Sequence, residues 1–446
     1  MDIATCCAMM LFLCLAPSHA RCPVGRLSED VLVTCNNETD CTESVQEAFD
    51  HPDTFGCPLN IVLPFSDRHI WFVRPLFLRK GNRNIIFEPG ITVMAKKGEF
   101  RSTSDSLLTL ESVSNVTVEA TGATLQMRKS EYAQPPYTRG EWRMALSIRG
   151  CSNVTVHGGT YRESGGDGIY IAGGPNTLYS SNISISDVTA DGNWRNGLSV
   201  ISVDGLTVSD SLFVNTNGTN PQCGIDLEPD AAIPPMRMER VVFRNVTLTN
   251  NTRCGFQTGL YGLANSTRNV SVLVDGMAIS SCGFFNNTAI DVGGHGSGLY
   301  LSNSYKPTGG VRGIFSFRNI SIQHTNNAAV EIQSWRQGLI ALSFQGLVIK
   351  NAAIASTYPG GGFVGSANPI VFESGSDDPN FQSGSVDFGD DGIVYDNENR
   401  PYLHAGHIKD VVGVFTVVNS PKLHPLGCVA DTGSDPVHVN VTSVCK

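Results

Sequence analysis

Two short patterns of alternating hydrophobic and polar positions recur along the chain, and neither has a helical period. The first is Asn followed by apolar, hydroxyl and apolar residues: Asn115-Val116-Thr117-Val118, Asn153-Val154-Thr155-Val156, Asn182-Ile183-Ser184-Ile185, Asn245-Val246-Thr247-Leu248, Asn269-Val270-Ser271-Val272 and Asn319-Ile320-Ser321-Ile322. Subtracting the Asn numbers gives spacings of 38, 29, 63, 24 and 50, and a degenerate copy at Gly205-Leu206-Thr207-Val208 divides the longest into 23 and 40. The second pattern is Gly-apolar-x-apolar, beginning at Gly168, Gly197, Gly224, Gly255 and Gly298, with a variant at Ala329. Alternation with period two marks half-buried strands. Two such strands in every ~25 to 30 residues describe a coil that stacks on copies of itself, because each turn shares its apolar face and its backbone pairing with its neighbours. The predicted fold is all-β, a single-stranded right-handed parallel β-helix.

An open stack of strands needs covered ends. Residues 40 to 50 read as a short amphipathic helix with a capping pair at Asp40 and Glu43. The chain therefore divides into a signal segment over 1–20, a cysteine-rich N-terminal cap over 21–60, the β-helix over 61–355, and degenerate final rungs with a C-terminal cap over 356–446. The signal is read from the apolar run Met9 to Ala16 followed by Ser18-His19-Ala20, which is too short to span a bilayer. The expected location is secreted and extracellular, without membrane insertion.

Of 13 cysteines, three lie in the signal, leaving an even number in an oxidising compartment, so disulfides are the default. Cys223 and Cys254 both precede the Gly of neighbouring rungs and are predicted to form a cross-rung disulfide; Cys428 and Cys445 are placed as a staple at the far end. Twelve Asn-x-Ser/Thr sequons are present, several inside strand-like stretches where the Asn can instead turn a corner. The 446 residues carry 31 Lys+Arg against 41 Asp+Glu, a net charge of −10, which argues against nucleic acid as a partner.

The segments Thr42 to Phe49, Ile86-Phe87-Glu88-Pro89-Gly90, Ser164 to Ile171, Asn215-Thr216-Asn217-Gly218 and Gly224 to Pro229 together resemble the pectin-lyase-like superfamily of secreted β-helix proteins. The resemblance implies the β-helix fold and an extracellular polysaccharide or glycan as partner. It leaves hydrolase, lyase, epimerase and non-catalytic binding roles open. Polygalacturonase-like members carry Asn-Thr-Asp, Asp-Asp, Gly-His-Gly and Arg-Ile-Lys in order. Here Asn217 replaces the first Asp, Gly294-His295-Gly296 lies far downstream, and Arg-Ile-Lys is missing from the sequence.

The residue two after each repeat Gly points away from the apolar interior, so Tyr170, Ser199, Asp226, Gln257, Tyr300 and Glu331 are expected to form a ladder on one exterior face, suited to an extended sugar chain. Asp226 and Glu228 share that face, with Asp167 and Arg195 on the two preceding rungs. Paired carboxylates push each other's pKa values apart, as glycoside hydrolysis requires. The expected catalytic residues are Asp226, Glu228 and Asp167, with Tyr170, Arg195, Gln257, Tyr300 and Glu331 binding substrate. The leading function is a secreted, monomeric glycoside hydrolase without cofactor. The alternatives are a Ca2+-dependent polysaccharide lyase or uronate epimerase using Arg195 as base, and a non-catalytic glycan-binding or adhesive module. Asp167 and Asp191 also have a structural reading, as corner residues bonding turn backbone; His295 reads as a loop residue, and Asp230, Trp194 and Trp335 as further site candidates.

Overall fold

A computed structural model of the chain describes residues 30–52 (except 36 and 38), 57–65, 69–229, 236–263, 268–284, 296–302, 312–333, 340–354, 368–373, 385–396 and 402–405. It also describes the backbone of strands Asp410–Val418, Ala430–Asp431 and His438–Cys445. Asp230, His295, Trp335, the 1–20 signal segment and the Cys428–Cys445 pairing lie outside the described residues. The alternating segments form strands, and the strands pair in parallel with their counterparts one turn earlier and later. Among the described residues two sheets result, one of 20 strands and one of 12.

The smaller sheet carries the Gly-apolar-x-apolar segments in the register that their alignment predicts. Ile169 pairs with Leu198, Leu198 with Ile225, Ile225 with Phe256, Phe256 with Leu299 and Leu299 with Val330. All six side chains are fully buried in one continuous apolar core that runs from Val33 to Leu403. The Gly before each strand is required by the closeness of the next rung: a Cβ on Gly197 would stand 2.6 Å from the carbonyl oxygen of Gly224. Phe317, Phe344 and Phe388 extend the core as a stack with centroids 5.0 and 4.9 Å apart.

The Asn-centred segments do not share one register. Val116 pairs with Val154, Val154 with Ile183 and Ile183 with Leu206, so Asn115, Asn153, Asn182 and Gly205 stack at one corner. Asn245 stacks instead with Asp210, Gly276 and Asn319 at a second corner, because Val246 pairs with Ser211 and Met277. Both corners require a left-handed residue. The φ values of Asn115, Asn153, Asn182, Asn245 and Asn319 lie between 50° and 58°. Asn tolerates that region where β-branched residues do not, so two different corners have converged on one sequence pattern. The amides also link rung to rung: Asn153 Nδ2 donates to Asn115 Oδ1 at 3.2 Å and Asn182 Nδ2 to Asn153 Oδ1 at 3.1 Å.

The helix spans Thr42–Phe49 and buries Val45, Ala48 and Phe49 at the end of the stack. Its first turn is held by Asp40, whose Oδ1 accepts from the Thr42 N–H at 3.0 Å; Glu43 turns away to Arg74, 3.4 Å distant. Cys35 bonds to Cys41, and Cys223 to Cys254 across neighbouring rungs as the strand alignment requires. The default of full pairing is corrected at Cys151 and Cys282, which are buried free thiols. Cys282 lies on the core side of its strand, where sulfur packs as a small apolar group. Among the described residues no helix is long and apolar enough to cross a membrane.

Candidate functional site

The predicted ladder exists as a column. Ser147, Tyr170, Ser199, Asp226, Gln257, Tyr300 and Glu331 stand in register on seven successive strands of the smaller sheet. Its expected exposure is corrected. Ser199 and Asp226 are fully buried, Tyr300 and Glu331 nearly so, and Tyr170 and Gln257 are half-buried. The reason is that these polar side chains close on one another and on the rung corners rather than on water. Tyr300 O–H donates to Gln333 Oε1 at 3.0 Å, Gln333 Nε2 to Glu331 Oε1 at 3.0 Å, and Ser297 O–H to Glu331 Oε2. Gln257 lies against the sulfurs of the Cys223–Cys254 disulfide and donates to Asp226 Oδ1 at 3.3 Å. The column is thus two networks: Tyr300 and Glu331 below, and the carboxylates of the earlier rungs above.

The upper network is built around Arg195. Its Nη1 lies 3.7 Å from Asp167 Oδ2, its Nη2 lies 3.9 Å from Asp226 Oδ2 and hydrogen-bonds Glu228 Oε2, and its Nε lies 4.0 Å from Glu141 Oε2. Backbone pairing brings them together. Asp226 is the middle residue of strand Ile225–Leu227, and Glu228 follows with its N–H donating to Val200 O at 3.1 Å. Arg195 is fixed by its N–H on Gly166 O at 2.9 Å, at the corner next to Asp167. Asn196 organises the interior: its N–H donates to Asp167 Oδ1 at 2.9 Å, and its Nδ2 to Ser199 Oγ at 3.0 Å and Asp226 Oδ2 at 3.2 Å. The turn-bonding reading of Asp167 is therefore fulfilled by one of its oxygens. The other, Oδ2, is buried with no hydrogen-bond partner. Asp191 bonds a side chain and not turn backbone, accepting from Asn215 Nδ2 at 2.7 Å.

One guanidinium faces four carboxylates, and the excess shows in their proton affinities. Burial pushes the Asp167 carboxyl up to about 6, with Arg195 pulling the other way. Asp226 is raised well above the usual carboxylate range, first by burial and then by the charge of Glu228. Arg195 holds its proton more tightly than usual: burial opposes the charge, but Asp167, Glu228 and Asp226 outweigh it. Access to solvent falls on the rim, where the side chains of Glu228 and Glu141 are 20% and 44% exposed against 0% for Asp167 and Asp226.

Three contributors escaped sequence reasoning. Glu141 and Lys129 sit on a long excursion between strands Thr124–Gln126 and Leu146–Arg149. Only its return across the rungs brings them near. Lys129 Nζ donates to Gly192 O and Asn217 Oδ1, both at 2.6 Å, and burial lowers its pKa to about 8 against the pull of Glu163 and Asp191. Asn196 could have been found, since it stands immediately before the repeat Gly197 as Asp167 stands before Gly168. Arg195 already stands among the carboxylates, and among the described residues no group of three His, Cys, Asp or Glu side chains is placed to hold a metal. Asp391 Oδ1 accepts from the Gly346 N–H on the neighbouring rung at 2.7 Å.

Residues 108–311 match a family model described as a right handed beta helix region. No curated protein matches the sequence. Among solved structures, the chain is similar to a family 28 exopolygalacturonase of Yersinia enterocolitica, with 12% identity over 94% of this chain and 78% of that one and a TM-score of 0.57. It is similar also to the Dettilon tailspike protein, with 11% identity over 93% of this chain and 68% of the other and a TM-score of 0.56. At such identities the likeness is one of fold. The chain is a right-handed parallel β-helix, remote in sequence from these solved structures.

Proposed function

We propose that the protein is a secreted glycoside hydrolase acting on an extracellular polysaccharide. The observation that supports this reading is the surplus of carboxyl groups at Arg195, in which two fully buried acids with raised proton affinity stand behind two that reach solvent. Glycoside hydrolysis needs one carboxyl group to protonate the leaving oxygen and one carboxylate to act on the opposite side of the sugar. The acid proton is drawn from Asp226, whose hold on it is raised by burial and by the charge of Glu228. Glu228, the exposed member, delivers it to the glycosidic oxygen and is recharged from Asp226. Glu141 takes the proton of the water that adds to the anomeric carbon. Asp167 acts through Arg195, keeping the guanidinium in place.

Elimination or epimerisation with Arg195 as base is disfavoured, because its surroundings strengthen its hold on the proton. A non-catalytic glycan-binding module is the second reading, favoured by the complete burial of Asp167 and Asp226. Mass spectrometry of products from a panel of neutral and acidic polysaccharides separates these readings. Hydrolysis yields products each carrying one added water, and Glu228→Gln lowers turnover by roughly 10³ with the fold retained. Binding without products supports the module; unsaturated products support elimination.

A further inference from the structure

Taking the Arg195 cluster as a sugar site, as above, we propose that it accepts an uncharged sugar chain and turns uronates away, with the Trp142 indole as its stacking platform. An arginine recognises a sugar carboxylate through a fork of two N–H groups. Arg195 has little of its fork to offer, since its side chain is only 12% exposed, Nη2 hydrogen-bonds Glu228, and Nε and Nη1 lie 4.0 and 3.7 Å from the carboxylates of Glu141 and Asp167. A uronate would have to displace one of the protein's own carboxylates. The nearby charges do not invite it either. Arg139 lies over the Trp194 ring at 5.9 Å, and Lys129 is committed to Gly192 and Asn217 beside Glu163 and Asp191. Four carboxyl groups share the one guanidinium of Arg195, and the whole chain carries −10. Bringing another negative charge beside Glu228 is unfavourable by the like-charge rule that governs partner choice at interfaces.

The platform is a separate observation. Trp142 is 53% exposed, although both of its neighbours are fixed. Glu141 meets Arg195 and accepts from Thr219 Oγ1 at 3.3 Å. Arg143 is fully buried, pairs its backbone with Gly165, and donates from Nε to Phe100 O and from Nη2 to Thr138 O, both at 2.9 Å. A large apolar ring is thereby open to solvent on the residue that follows Glu141. An indole face suits the apolar face of a sugar ring while neighbouring carboxylates take its hydroxyls.

The test uses paired ligands that differ only in charge: polygalacturonate and alginate, each beside its carboxyl-reduced form, together with xylan and mannan, titrated at pH 7 against the whole secreted protein. The expected result is that at least one neutral polymer binds, and that each uronate binds at least about tenfold more weakly than its reduced form or than that neutral polymer. Trp142→Ala should weaken neutral-chain binding about tenfold and Trp142→Phe much less, while Glu141→Gln should narrow the gap between charged and reduced forms. A uronate bound as tightly as its reduced form overturns the proposal, as does affinity indifferent to Trp142→Ala. Binding to none of the polymers overturns this proposal together with the sugar-site reading. Discriminating binding without products removes the hydrolase reading alone and leaves the present one standing.

Discussion

Two of the ionic clusters among the described residues have opposite balance. At the N-terminal cap, one half-buried carboxylate, Asp40, is served by two cations, with Lys96 Nζ at 2.8 Å and Arg74 Nε at 3.1 Å, and by the Thr42 N–H at the head of the helix. Burial acts against its charge, but the Lys96 and Thr42 hydrogen bonds and Arg74 prevail and hold its pKa down at about 2. On the middle rungs a single cation, Arg195, serves Asp167, Asp226, Glu228 and Glu141, and burial prevails at the two inner acids. The cap cluster is what a fold needs: every charge introduced is neutralised, and a helix start is tied to the rung beneath. The rung cluster contains more carboxyl groups than its cation can neutralise. Surplus buried carboxyl groups weaken a fold, so their presence on one column argues for a task other than folding.

The comparison is broken most severely at Arg195. Replacing it with Met removes the shared counter-charge and leaves the buried acids uncompensated. The expected cost is about 3 to 5 kcal/mol, the range for breaking one side of a buried ion pair. Urea denaturation at pH 7 measures it. A midpoint unchanged from wild type would mean that the acids are already neutral in the folded protein and that Arg195 carries no structural load.

The next effect is a matter of sign. Asp167 has a folded pKa near 6, above its unfolded value. The folded state therefore holds the proton more tightly, and stability falls as pH rises from about 4 to about 6. The full span is worth about 3 kcal/mol by the usual conversion of pKa shift to free energy. Asp167→Asn can still accept the Asn196 N–H, and it should flatten the stability profile across that window. A wild-type profile that is flat or rising between pH 4 and 6 would contradict the raised pKa.

How much of this was legible in the sequence depends on the range of the interaction. The smaller sheet was readable rung by rung, because a Gly forced by rung-to-rung contact marks each strand start at Gly168, Gly197, Gly224, Gly255 and Gly298. The Cys223–Cys254 bond followed from the same alignment. The Asn phrases misled, because Asn182 and Asn245 answer the same left-handed demand at different corners, and local conformation carries no label for which corner it serves. Period two also says which side chains point away from the core without saying what will lie over them. Tyr300 and Glu331 were therefore placed on an open face that Gln333 and Ser297 close. Glu141 was invisible for a related reason: it reaches Arg195 only because the excursion after Gln126 folds back over the rungs, 54 residues earlier in sequence than its partner. Asp226, Glu228, Asp167 and Arg195 were brought together correctly, since adjacent rungs convert a repeat alignment directly into proximity.

The smallest effect lies at the cap, and it runs in the opposite direction to that at Asp167. The Asp40 pKa is lowered in the folded state, so its contribution is fully present above the unfolded value near 4 and is lost as pH falls toward 2. The shift corresponds to about 2 kcal/mol. Asp40→Asn forfeits the charge toward Lys96 and Arg74 but keeps an acceptor for the Thr42 N–H. It should therefore lie about 2 kcal/mol below wild type at pH 7 and converge with it near pH 2, whereas Asp167→Asn converges with wild type near pH 4 and diverges above. Two carboxylates replaced by the same amide, with stability profiles that separate in different pH windows and in opposite senses, would mark one cluster as holding the fold together and the other as held in place by it. Parallel profiles would mean that both acids are ordinary ion-pair partners and would remove the electrostatic basis for a site on the middle rungs.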